Sequence, residues 1–349
     1  MGKKHNVIHV CVVGLILLFT AFAVSSCNAY HIPTGETTGN EYNVSTGGSA
    51  CTTDIIASSA EEVPITMNET IIGIPIAEYP DPYIVSEYEV LTEEQKIAYD
   101  MIGLAMKDIL DNGPVAGKLY SFPQSMDWYD YKVAFNLFWA NFKAVEDLVV
   151  NLFDTHSQGK ENVVDGVFLF DDGNLDTYYQ KYLEISQEAD EILSELEHDG
   201  TEYGKVLAVA KWMVDNIVYP STYTLEEYLN SAYTALIHKK AVCDGYAKAF
   251  DFLCKKAGLE SIYVTSWEPG RGHAWNMIHM EENWYHVDVT WMRSGGFYKY
   301  FMMSDDICAS TGHDKAEYYW NQKENIKIIP SAQSDKYYSY PAYEGIPNN

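Results

Sequence analysis

The sequence predicts an α+β fold in which a cysteine opens a helix packed on an antiparallel sheet, with a mainly helical region before it. Three observations carry that reading. A helix-compatible run from Ala247 to Lys256 follows Cys243 and stops at Gly258. Two strand-like runs, Gly272 to His279 and Trp284 to Trp291, flank the polar link Glu281-Glu282-Asn283. Upstream, Thr92-Glu93-Glu94-Gln95 has the form of a capping box opening a separate helical series.

In chain order, Lys3 and Lys4 precede an almost wholly apolar run from Val7 to Val24 that ends in Val24-Ser25-Ser26-Cys27. Residues 1–26 read as a secretory signal. The small residues before Cys27 resemble a bacterial lipobox, which implies a lipidated Cys27 as the mature N-terminus. An uncleaved anchor is the rival reading, and both put the remaining chain outside the cytoplasm, held at the membrane. Residues 27–90 are rich in Thr, Ser, Gly, Glu and Pro without sustained periodicity, as in a flexible tether.

Residues 91–198 form the mainly helical region. Its first helix carries Ile97, Met101, Leu104 and Ala105 on one stripe and stops at Asn112-Gly113-Pro114. A second helix is expected from about Tyr131 to Phe153, a strand at Val167 to Phe170, and a third helix from about Leu175 to Leu196. Asp171-Asp172-Gly173-Asn174 lacks the further ligands of a calcium loop and reads as a turn and helix cap. Residues 199–349 form a second domain, entered through an amphipathic helix at Val206 to Ile217.

Among 349 residues, 50 acidic side chains against 23 basic ones give a formal charge of −27. Removing the signal with its two lysines takes this to −29, a balance that repels nucleic acid and anionic lipid headgroups and excludes nucleic acid as a partner. Six cysteines are too few for a stapled scaffold. With Cys27 lipidated and Cys243 set apart, Cys51, Cys254 and Cys308 remain, either as buried thiols or with a Cys254–Cys308 bridge.

Cys243 is the residue with the clearest chemistry. At a helix start the peptide dipoles and unpaired N–H groups favour a thiolate, and the same N–H groups can receive an oxyanion. His273 and Asp288 lie on the two strand-like runs. A two-residue Glu281-Glu282 loop sets them on one face, with His273 opposite Thr290 and Asp288 one diagonal step away. A three-residue loop separates them. His279 and His286 show neither a His-x-x-x-His pair nor a Cys-x-x-Cys hook, so no metal site is read, and no cofactor motif is present.

Cys243 with Gly245 and Tyr246, then His273-Ala274-Trp275-Asn276, then Trp284, Tyr285, Asp288, Thr290 and Trp291 resemble the linked motifs of the transglutaminase-like superfamily, a branch of the papain-like thiol enzymes. The resemblance spans about Gly204 to Trp291. It implies acyl transfer or hydrolysis on peptide or glutaminyl amide bonds, with Cys243 as nucleophile, His273 as base and Asp288 as its orienting group. Peptidase or amidase action is favoured over cross-linking, on a protein or peptide substrate that includes cell-wall peptide. No tryptophan lies between Trp212 and Cys243 to match the upstream oxyanion donor of animal transglutaminases, so Tyr233 is the candidate. Trp267, Trp275 and Trp291 are candidate groove walls. Two alternatives stay open: an inactive module of the same fold that binds protein or cell-wall peptide, and a solute-binding or adhesive lipoprotein without thiol chemistry.

Overall fold

The computed structural model describes Tyr88 and residues 91–143, 153–157, 162–169, 173–224, 228–268, 271–313 and 330–338. The signal and tether expected over 1–90, with Cys27 and Cys51, lie outside these residues save Tyr88, as do Asp171 and Asp172. Among the described residues no helix is long and apolar enough to cross a membrane.

The first helix, α1 (Glu93–Asn112), starts as the sequence predicts. Thr92 Oγ1 accepts from Gln95 N, and Gln95 Oε1 accepts from Thr92 N, so each caps the other. The helix buries Ala98, Ile102, Ala105 and Ile109 and ends at Gly113, whose φ of 82° suits a residue without Cβ. Next come β1 (Leu119–Asp127), α2 (Trp128–Asn141), β2 (Phe153–His156), β3 (Val163–Leu169) and α3 (Leu175–Glu195).

This region is less helical than expected, because β1, β3 and β2 form an antiparallel sheet in that order. The second helix ends at Asn141, with Phe142 as its C-cap, instead of reaching Phe153, which begins β2. Strand β1 escapes a period-two reading because Pro123, which has no N–H for the ladder, lies within an irregularity between Ser121 and Met126. A Cβ on Gly166 would stand 2.6 Å from Tyr120 O, so glycine lets β3 approach β1.

The second half runs α4 (Glu202–Asn216), α5 (Ala232–Leu236), α6 (Cys243–Lys256), β4 (Glu260–Glu268), β5 (Arg271–Met280), β6 (Asn283–Val287), α7 (Val289–Gly295) and α8 (Asp305–Ser310). Strands β4, β5 and β6 form a sheet with β5 in the middle, and α6 packs across β4 and β5. The hairpin register is the expected one: Met280 pairs with Asn283 and Asn276 with Val287, leaving Glu281-Glu282 as the loop. Strand β6 stops at Val287, however, and Thr290 and Trp291 belong to α7.

Helix α6 also joins the two halves. Lys255 Nζ donates to Asn141 O of α2 at 2.5 Å and to Asp251 Oδ2 at 2.6 Å, while Ser261 Oγ donates to Asp251 Oδ1. Both charges are buried, so neither can fall back on water when its partner is lost. Asp251→Ala therefore lowers the unfolding free energy by about 3–5 kcal/mol, read as a fall in the urea midpoint.

Candidate active site

Cys243 is the first residue of α6, and its N-cap, Val242, has no side chain to engage the first-turn N–H groups. The loop before it is drawn tight. Val242 N donates to Leu229 O at 2.9 Å, and Lys248 Nζ donates to Asn230 O at 3.0 Å. A Cβ on Gly245 would meet Leu229 O at 2.7 Å and Ser231 O at 3.0 Å, so only glycine admits this loop against the helix start. Tyr246 donates its hydroxyl to Ile217 O, tying the same turn to the end of α4. Asp244, beside the thiol, has its charge met by Lys248 Nζ at 3.1 Å and Tyr263 Oη at 2.7 Å.

His273 lies on β5. Three residues along, buried Asn276 donates from Nδ2 to Ala247 O at 3.0 Å, a direct tie between the histidine strand and the cysteine helix. Helix α6 also packs against α7, which Asp288 caps.

Asp288 performs two tasks. As N-cap of α7 its Oδ1 accepts from Trp291 N at 3.0 Å, and its Oδ2 meets His273 Nε2 at 2.8 Å. One carboxylate thus caps a helix and meets an imidazole. A carboxylate only accepts, so Nε2 of His273 bears hydrogen and the neutral ring keeps its lone pair on Nδ1. The His273 ring lies nearly parallel to Trp291 at 4.6 Å and to Trp275 at 5.7 Å.

A second histidine, not found in the sequence reading, shares the carboxylate: His313 Nε2 lies 2.9 Å from Asp288 Oδ2. Burial pushes the Asp288 carboxyl up, but the charges and hydrogen bonds of His273 and His313 overcome it and hold the value at about 2.

The other expected site residues divide. Trp291 is half-buried against His273. Trp275 is a core residue, not a groove wall: it is buried and donates from Nε1 to His286 Nδ1 at 3.0 Å. Trp267 pairs with Gly272 on the β4–β5 ladder, and its side chain lies outside the described residues. Tyr233 is corrected as an oxyanion donor, since its hydroxyl donates to Glu184 of α3 at 2.5 Å. Cys254 and Cys308 are free and buried, and burial pushes both thiols up.

His279 and His286 do not converge on His273. His279 bonds to Glu260 at 2.6 Å, and His286 to Asp305 at 2.9 Å. The ligating atoms of His273, Asp288 and His313 do lie within 4.8 Å of one another, enough to consider a metal. Their 2.8 and 2.9 Å separations are those of hydrogen bonds, whereas tetrahedral zinc with bonds of about 2.0 Å would hold its ligands about 3.3 Å apart.

Residues 190–289 match the family model of the transglutaminase-like superfamily. Over 117 residues the chain is 30% identical to the kyphoscoliosis peptidase of Homo sapiens and 29% identical to that of Mus musculus. Each match covers 29% of this chain and 18% of the relative, so the chain spans under a fifth of the length of these relatives. Among solved structures, a chain described as a candidate cysteine protease from Cytophaga hutchinsonii aligns at 25% identity over 32% of this chain and 38% of its own, with a TM-score of 0.26. A TGase aligns at 15% identity over 41% of this chain and 44% of its own, with a TM-score of 0.30. The matched stretch, residues 190–289, holds Cys243, His273 and Asp288, so the similarity to the transglutaminase-like superfamily falls on the site itself.

Proposed function

We propose that the chain is a cysteine-dependent enzyme that cleaves or exchanges peptide or glutaminyl amide bonds outside the cytoplasm, anchored through a lipid on Cys27. The contact that carries this reading is the 2.8 Å hydrogen bond between His273 Nε2 and Asp288 Oδ2. It assigns the basic lone pair to Nδ1 and gives the imidazolium that forms on proton uptake a buried counter-charge.

In the proposed reaction His273 Nδ1 takes the Cys243 proton, and the thiolate sulfur attacks the amide carbon. The developing oxyanion is met by first-turn N–H groups of α6, which Val242 leaves without a side-chain partner. As the C–N bond breaks, His273 returns the proton to the leaving amine, giving a thioester. Water then attacks the thioester with His273 again as base, releasing the acid and the free thiol. An amine in place of water gives transfer. The peptidase names of the human and mouse relatives support hydrolysis.

Iodoacetamide labelling against pH tests the nucleophile. Cys243 is expected to alkylate selectively below pH 7, with the effect lost in His273→Ala, while Cys254 and Cys308 stay unlabelled in the folded protein because burial holds both thiols protonated. Slow labelling of Cys243 on the curve of an ordinary thiol would remove the reading. Incubation with casein and a labelled primary amine then separates the two fates of the thioester: cleavage without incorporation supports hydrolysis, and incorporation overturns that preference.

Asp288→Asn is expected to lower turnover about 10³-fold or more, through loss of the tautomer that leaves Nδ1 basic. Its effect on stability has a defined sign. The carboxyl is depressed from 3.8 to about 2, so its contribution is complete above its ordinary value and is lost as pH falls through about 2. The urea-midpoint difference between wild type and Asp288→Asn should be present in full at pH 5 and shrink below pH 4.

A further inference from the structure

Oδ2 of Asp288 receives two imidazoles, and only one of them belongs to the stretch matched by the family model. His313 lies beyond residues 190–289, after α8. The turn that delivers it is specific. Thr311 N donates to Ile307 O, His313 N donates to Cys308 O, and Gly312 between them has a φ of 99° that favours glycine. The His313 side chain has no solvent exposure, and its ring packs on Trp291 at 4.2 Å and Trp275 at 4.9 Å. An aromatic pocket of this kind is satisfied by phenylalanine. What phenylalanine does not supply is the ring nitrogen aimed at the carboxylate.

We propose that His313 is a positioning residue for the thiol chemistry, its Nε2–H fixing the plane of the Asp288 carboxylate so that His273 stays in the tautomer with a basic Nδ1. Among the described residues Trp291 N anchors Oδ1, and without His313 the donor left on Oδ2 would be the very imidazole that the carboxylate has to orient. His313 gives Oδ2 a donor that is independent of His273. At the other side of the ring, Thr311 Oγ1 stands 3.1 Å from Nδ1 and completes the seat of His313. The inference rests on the roles proposed for Cys243 and His273.

The test compares wild type with His313→Leu, which removes the donor, and His313→Gln, whose amide N–H can stand in for Nε2–H. In the full chain, His313→Leu should slow Cys243 alkylation below pH 7 about tenfold, the low end for losing an outer hydrogen-bond partner, and His313→Gln should recover it to within about threefold. Imidazole 15N resonances read the same geometry without the thiol. His273 should be protonated at Nε2 in wild type and in His313→Gln, and partly at Nδ1 in His313→Leu. A wild-type rate and tautomer in His313→Leu would overturn the proposal, as would equal impairment by Leu and Gln. If Leu prevents folding, His313→Phe is the donor-less variant. Should wild-type Cys243 label as an ordinary thiol, the proposed function fails, and the tautomer measurement still decides the role of His313.

Discussion

A carboxylate wholly removed from water keeps its charge only where donors replace the solvent, and Asp288 obtains its donors from three separate stretches of chain. Strand β5 sends His273, the first turn of α7 sends Trp291 N, and the turn after α8 sends His313. Each stretch is placed by further bonds: Asp288 N donates to Tyr300 O, and His286 and Met303 exchange both backbone bonds beside β6. The carboxylate is therefore a junction for the hairpin, α7 and the segment that follows. Its ionised state and the fold around it depend on each other.

The residues that flank the three site residues act mainly by joining elements. Gly245 admits the 229–231 loop against α6, Tyr246 holds the end of α4, and Asn276 ties β5 to Ala247. Trp275 donates to His286, whose other nitrogen bonds Asp305, and Asp305 in turn accepts from Ser331 Oγ, Ala332 N and Gln333 Nε2. A chain of hydrogen bonds, buried at Trp275 and His286 and exposed at Ser331 and Gln333, thus runs from beside His273 to the 331–333 segment. Spread over adjacent motif positions, these contacts keep the cysteine helix and the histidine strand in one rigid frame.

What was legible in the sequence was what local pattern controls. The capping box at Thr92, the start of α6 at Cys243 and the two-residue hairpin loop are decided by a few neighbouring residues, and all three appear. The end of β6 was misread because Val287-Asp288-Val289-Thr290 continues a strand-like alternation, while the Asp288 side chain offers the backbone a helix cap instead, and the cap prevails. Trp275 looked like a groove wall because aromatic residues in a strand give no sign of which face is covered. Tyr233 has its partner 49 residues away at Glu184, and His313 meets Asp288 25 residues away. Neither pairing leaves a local signal, since both are made by the packing of whole elements.

Charge pairing along α6 separates support from reactivity. Asp244 pairs with Lys248 and Asp251 with Lys255, each one turn apart, so the helix carries acidic groups without a net negative field from them at its start. Left unpaired, Asp244 would set a full negative charge next to Cys243 and oppose the partial positive charge of the helix N-terminus. Its bonds to Lys248 and Tyr263 offset that charge and keep it turned towards β4. Asp251 and Lys255 serve the far end, where α6 meets α2, so that pair does not draw on the first turn at Cys243. The helix can thereby be fixed by ion pairs along its length and still keep its positive dipole end at Cys243.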